Sequence, residues 1–153
     1  MKRGYTLIEL MITMTISLTL IVFGLSSYRQ MQSSQTVASA QGSVMNTLTS
    51  AQKRASIGDK DCTGPFLGIK VVASSGTGTM STQALCQGNS GALASVSIPS
   101  AAFTANTTAT FQPLAQGVDL GGAVSQNLDY IIAGATYRIQ LARNGNITYL
   151  GKQ

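Results

Sequence analysis

Between Tyr5 and Leu25 the chain carries a single charged residue, Glu9, and this apolar run sets what the protein can be. Twenty-one helical residues at 1.5 Å each extend about 31 Å, the hydrocarbon thickness of a bilayer. Thr13, Thr15, Ser17 and Thr19 dilute the run, but in a helix their hydroxyls can bond back to the backbone. Lys2 and Arg3 come just before it, and the positive-inside bias holds that end in the cytoplasm. The expectation is a single pass with the N-terminus inside and everything after Tyr28 outside.

Glu9 is the informative residue. An acid at the centre of a membrane helix costs about 2.5–3.5 kcal/mol. Glu9 lies near the cytoplasmic end, where the penalty is smaller and an interfacial carboxylate is the plain account. Its neighbours suggest a second one. Lys2-Arg3-Gly4 leads directly into Tyr5-Thr6-Leu7-Ile8-Glu9-Leu10. A cut after Gly4 would free an amine at Tyr5, one helical turn from Glu9. A carboxylate inside an apolar bundle needs a cationic partner, and a neighbouring subunit's new N-terminus would supply one.

These residues resemble the class III signal of type IV pilins and type II secretion pseudopilins. The resemblance implies that a prepilin peptidase cuts after Gly4 and methylates the new amine of Tyr5. It also implies that Glu9 guides assembly by pairing with another subunit's terminus. The subunit would wait in the inner (cytoplasmic) membrane, in contact with lipid, with its globular part outside. An assembly ATPase and an inner-membrane platform protein would then extract it into an extracytoplasmic filament of pilin or pseudopilin subunits. The competing reading is an ordinary secretory signal, with Leu10–Phe23 as its apolar region and Gly24-Leu25-Ser26 as its cleavage site. An acid beside that region and a mature chain starting at Tyr28-Arg29 fit it poorly.

Composition removes most enzymes. The chain has 153 residues and no His, which takes away Ser-His and Cys-His catalysis and imidazole metal ligands. Its acids are Glu9, Asp59, Asp61, Asp119 and Asp129, too scattered for the six to eight oxygens of a calcium cage. A Ser-Lys pair using Lys53, Lys60 or Lys70 would need a buried lysine in a cleft. The expectation is a protein that is not an enzyme, with no catalytic residue, metal or cofactor. The net charge of +5 is spread along the chain, without the dense basic clusters and interleaved aromatics of a nucleic-acid surface. A DNA-uptake or adhesive pilin-like binding module would need such a cluster. A membrane-anchored β-domain that never polymerises is the other alternative.

No Pro occurs before Pro65, so nothing forces a break in a helix from Tyr5 to Ile57. Val37, Val44, Leu48, Ala51 and Ala55 form one apolar stripe, with Ala40 and Met45 beside it. Gln32, Ser39, Ser43, Thr47, Ser50 and Lys53-Arg54 form the polar face, and Gly58 is the stop. Such a helix has about 53 residues and is roughly 80 Å long. Gly24 and Gly42 are its soft points. Type IV major pilins commonly carry a proline near the end of the membrane part, where this chain has Ser26.

After Gly58 the period changes to two. Phe66–Val72, Ala92–Ile98, Ala109–Leu114, Leu128–Ala133 and Thr136–Ala142 read as strands, and Arg143-Asn144-Gly145-Asn146 as a hairpin turn into Ile147–Leu150. Ser74–Thr79 and Gln87–Gly91 read as loops. Cys62 and Cys86 would face an oxidising compartment, where a disulfide closing a loop of about 25 residues stabilises by about 3–4 kcal/mol. It would join the helix–strand connection to the loop before the second strand. The alternatives are two free thiols or a metal pair, the latter disfavoured without His or further Cys.

The globular part resembles H-type minor pseudopilins and their FimT-like pilus relatives. The residues are Leu48, Ala51-Gln52, Ala55, Cys62 and Phe66-Leu67-Gly68-Ile69-Lys70-Val71. Ile98-Pro99, Phe111-Gln112-Pro113-Leu114, Gly117-Val118, Tyr137-Arg138-Ile139 and Asn144-Gly145-Asn146-Ile147 extend the match. The expected fold is α+β, a long N-terminal helix packed through its second half on a C-terminal antiparallel β-sheet or sandwich. The segments are a leader at 1–4, a membrane and filament-core half-helix at 5–28, an amphipathic half-helix at 29–57 and a β-rich domain at 58–153. The function this implies is a structural, minor subunit of a type IV pilus or secretion pseudopilus.

Overall fold

The computed structural model describes residues 6–153, apart from the side chains at positions 24, 26, 27 and 115. Two compact units divide it, one running to Thr36 and the other spanning Val37–Gln153. One helix, α1, occupies Leu7–Ile57. Tyr5, where the sequence would start it, lies outside the described residues. The helix continues through Gly42 without interruption, so that soft point does not break it.

In the first unit the apolar side chains of α1 are exposed among the described residues. The large apolar side chains from Leu7 to Phe23, and Leu25, are each at least half exposed. Its hydroxyls are satisfied within the helix, as the dilution of the apolar run requires. Thr13 Oγ1 donates to Leu10 O at 2.9 Å, Ser17 Oγ to Thr13 O at 2.8 Å and Thr19 Oγ1 to Ile16 O at 2.8 Å.

In the second unit α1 buries the stripe read from the sequence. Ala40, Val44, Leu48, Ala51 and Ala55 are buried, and Val37 and Met45 pack beside them. Thr47 departs from the reading. It was expected on the polar face, yet it is buried, its Oγ1 donating to Ser43 O at 2.9 Å. That bond lets a short polar residue widen the packed face without an unmet hydroxyl. The helix ends at Gly58, whose φ of 71° is the left-handed turn a glycine makes without strain. Gly58 N donates to Ala55 O, and Asp59 N to Arg54 O at 2.9 Å, the paired C-terminal bonds that close a helix.

Two antiparallel sheets follow. In the first, β1 (Phe66–Ala73) sits between β2 (Thr79–Cys86) and β6 (Thr107–Phe111), with the two-residue β7 (Val118–Asp119) outside β6. The short strands β3 (Asn89–Ser90) and β4 (Ala94–Ser97) share the other side of β2. In the second sheet the order is β10 (Ile147–Lys152), β9 (Ala135–Ala142), β8 (Ser125–Ile132) and β5 (Ala101–Phe103). Ile69, Val71, Met80 and Phe111 from one sheet meet Leu128, Tyr130, Ile139 and Leu141 from the other, together with the α1 stripe, in one core. Neither sheet could bury its inner face alone; helix and sheets form three walls around a shared interior.

Several strand expectations are corrected. β2 and β5 lie where no strand was expected, Thr79 opens β2 instead of ending a loop, and β3 falls within the expected loop Gln87–Gly91. Ala109–Leu114 becomes Thr107–Phe111, because Pro113 opens a 3-10 turn instead of continuing the ladder. The Cys62–Cys86 disulfide forms, with Cα atoms 6.1 Å apart. Cys86 is the last residue of β2, so the bridge anchors to a strand and not to a loop. Around it Asp61 Oδ2 accepts from Ala92 N at 2.9 Å, and Asn89 Nδ2 donates to Thr63 Oγ1 at 2.7 Å. A segment without helix or strand is thereby tied to the sheet.

Candidate functional site

The expected site falls at the start of the chain. The cleavage and methylation positions, Gly4 and Tyr5, lie outside the described residues, as do Lys2 and Arg3. Glu9 lies in the first turn of α1. Leu7, Ile8, Leu10, Met11 and Ile12 around it are exposed. Among the described residues no cation pairs with its carboxylate. The acid is therefore presented on an uncovered apolar surface.

Thr6 was not singled out from the sequence. Its carbonyl accepts from Glu9 N at 3.1 Å and Leu10 N at 3.2 Å, and its Oγ1 faces Glu9 N at 3.4 Å. Thr6 thus caps the helix with Glu9 at the third helical position. The Thr-x-x-Glu spacing of a capping box was the signal that could have found it. An acid there is also favoured by the positive end of the helix dipole. Glu9 consequently has a local role in starting the helix, which leaves both carboxylate oxygens free for a partner.

Residues 1–25 match the family model described as the prokaryotic N-terminal methylation motif. The chain thus carries a type IV pilin-like N-terminal signal. The motif is the class III signal of type IV pilins, and here a long helix and a β-domain follow it. In general terms it implies processing by prepilin peptidase and assembly with other pilins. Among the described residues one helix, Leu7–Ile57, is long and apolar enough to cross a membrane, and with the signal at its head it points to membrane anchoring. No curated protein and no solved structure matches it.

Elsewhere the structure disperses the groups that could do chemistry. Lys53 and Lys60 are exposed, and Lys60 Nζ donates to Gly64 O at 2.5 Å. Lys70 lies in β1 opposite Gln83 and Thr110. No side-chain amine of the three bonds a serine hydroxyl among the described residues, and no three His, Cys, Asp or Glu gather there as a metal site would require. Arg138 and Asp129 face each other across β8 and β9 in a two-pronged pair, with both bonds at 2.7 Å. That pair raises the Arg138 pKa, chiefly through its hydrogen bonds to the carboxylate.

Tyr130 is fully buried. Its ring stacks on Tyr137 at 5.9 Å and meets Phe103 edge-on at 6.2 Å, while its hydroxyl has no partner among the described residues. Burial first, then the neighbouring Tyr149 and Tyr137, push its pKa up to about 12. Burial also raises Tyr149. These tyrosines hold the second sheet together and form no opening to solvent at Tyr130.

Proposed function

We propose that the protein is a structural subunit, a minor one, of a type IV pilus or a type II secretion pseudopilus, without catalytic activity. Prepilin peptidase removes residues 1–4 and methylates Tyr5. The chain then waits in the inner membrane with its β-domain outside, until an assembly ATPase and a platform protein move it into the filament. The observation that carries this reading is the methylation motif running into a helix whose large apolar side chains from Leu7 to Phe23 are uncovered. A helix apolar all round must be covered by lipid or by other helices. Moving from lipid into a bundle of like helices supplies little hydrophobic driving force, so packing and polar pairing select the register. Glu9 is the charged side chain in that surface able to do so, by taking a neighbour's Tyr5 amine as its partner.

Intact mass and N-terminal sequencing of the protein from its native membrane test the processing. The expected chain begins at N-methylated Tyr5; a chain beginning at Met1, or near Ser27 or Tyr28, overturns the reading. Glu9→Ala tests assembly. Incorporation into sheared filaments or crosslinked pseudopili should fall while the membrane-held precursor persists. Unchanged incorporation would leave Glu9 only its favourable place at the positive end of the helix dipole.

A further inference from the structure

Three loops meet at one rim of the second unit, between β6 and β7, between β7 and β8, and between β9 and β10. Val118 N donates to Arg143 O, Arg143 N to Val124 O and Gln112 N to Gly117 O, each at 2.9 Å. The rim is therefore fixed, yet it holds two apolar side chains out in solvent, Leu114 and Val124, each 79% exposed. Leu114 has φ 55° and ψ 34°, a left-handed conformation that a leucine adopts only at an energetic cost. Strain and apolar exposure at one residue of a pinned loop mark a surface shaped for contact. Beside them Gln116, Val124, Ala142, Arg143 and Asn144 line a hollow of about 480 Å³. A second hollow of about 320 Å³ shares Asn144 and reaches Lys53 on α1.

Charge decides what fits. Arg143 and Lys53 are exposed and in no ion pair among the described residues. Two of the four acids of this unit are in ion pairs, and the other two accept only from backbone N–H groups among the described residues. Asp59 pairs with Arg54 and Asp129 with Arg138, while Asp61 accepts from Ala92 N and Asp119 from Gly121 N at 3.0 Å. A second copy of this unit carries the same excess of cations, seven Lys and Arg against four Asp, and so answers Arg143 and Lys53 poorly. Nucleic acid fits poorly as well, since the rim has two cations and no exposed aromatic to stack a base.

We propose that this rim docks a different protein, one presenting an acidic surface with an apolar socket for Leu114 and Val124. The proposal deepens the subunit reading by giving the chemistry of its neighbour. The test places a photoactivatable benzophenone amino acid at position 114 of the full chain in its native host, with position 108 on the exposed face of β6 as control. The expected product joins position 114 to another protein, at a peptide containing Asp or Glu. Arg143→Glu should lower its yield about tenfold, and replacing the partner's acid with Lys should restore it. Val124→Asp, at an equally exposed side chain, should act like Arg143→Glu. Crosslinks to a second copy, to nucleic acid or to nothing, or a yield indifferent to both variants, overturn the proposal. A chain that is methylated and incorporated into filaments but crosslinks only to itself refutes the docking rim and leaves the subunit reading intact.

Discussion

Leu48→Ala is the sharpest test of the three-walled core. Leu48 is 1% exposed and borders a void of about 10 Å³ with Val71, Met80 and Ala109 from the first sheet and Leu128 and Leu141 from the second. Three lost carbon groups at about 0.8 kcal/mol each give about 2.4 kcal/mol of transfer energy. A cavity term adds to this, and it is large here because helix and both sheets would have to move together to close the space. The enlarged hole also merges with the void already present. The expected cost is about 3–5 kcal/mol, in the upper part of the range for such truncations. For a unit of this size that lowers Tm by about 12–20 °C. The assay is urea and thermal unfolding of the full chain in detergent, followed by near-ultraviolet dichroism of the tyrosines, since the chain has no Trp. Ser50→Ala, on the exposed face of α1, should change stability by less than about 0.5 kcal/mol. If Leu48→Ala costs under about 1 kcal/mol, α1 is not a wall of this core.

Reducing the Cys62–Cys86 bridge, or replacing both residues with Ser, should cost about 3.5 kcal/mol by loop-closure entropy for a separation of 24 residues, read as the difference in urea midpoint. Gly58→Ala should cost about 1 kcal/mol from the left-handed backbone alone, because nothing lies within 4 Å of an added Cβ; Gly58→Asn should recover part of it. Tyr130→Phe removes a buried hydroxyl that has no partner among the described residues and should be neutral or stabilising by up to about 1 kcal/mol. The same variant carries a pH signature. The unfolded tyrosine loses its proton near 10.0 and the folded one at about 12, so stability conferred below pH 10 is lost as pH rises through that window. The variant should lack this part of the loss, and a midpoint falling equally steeply in both proteins would contradict it.

Much of α1 was legible because a helix is a local structure. The apolar run, the stripe from Val37 to Ala55 and the stop at Gly58 need only neighbours three and four residues apart. Thr47 escaped because its burial depends on a bond to Ser43 and on what faces that turn. Strands with strong alternation were also legible. Tyr137, Ile139 and Leu141 differ plainly from Arg138 and Gln140, and Asn144-Gly145 turns the chain into β10. β2 was not, since Thr-Met-Ser-Thr-Gln-Ala-Leu-Cys places small and polar residues on both faces. It is a strand because β1 and β4 hold its backbone on either side, and neither partner can be read from its own eight residues. β5 is three residues long and depends on its pairing with β8 and on the bridge from Phe103 to Ser75.

The site divides along the same line. Signal, apolar helix and Glu9 are linear features, readable because they lie in one continuous segment. The rim of Leu114, Val124 and Arg143 brings together three loops distant in sequence, and no spacing announces it. By itself the sequence determined the helix, its uncovered apolar half and the motif at its head, all set by contacts within a turn or two. Only the tertiary structure decided how the strands divide between two sheets, that Tyr130 lies at the centre and that Leu114 lies outside. Those outcomes depend on pairings between residues far apart in the chain, whose energies no local pattern encodes.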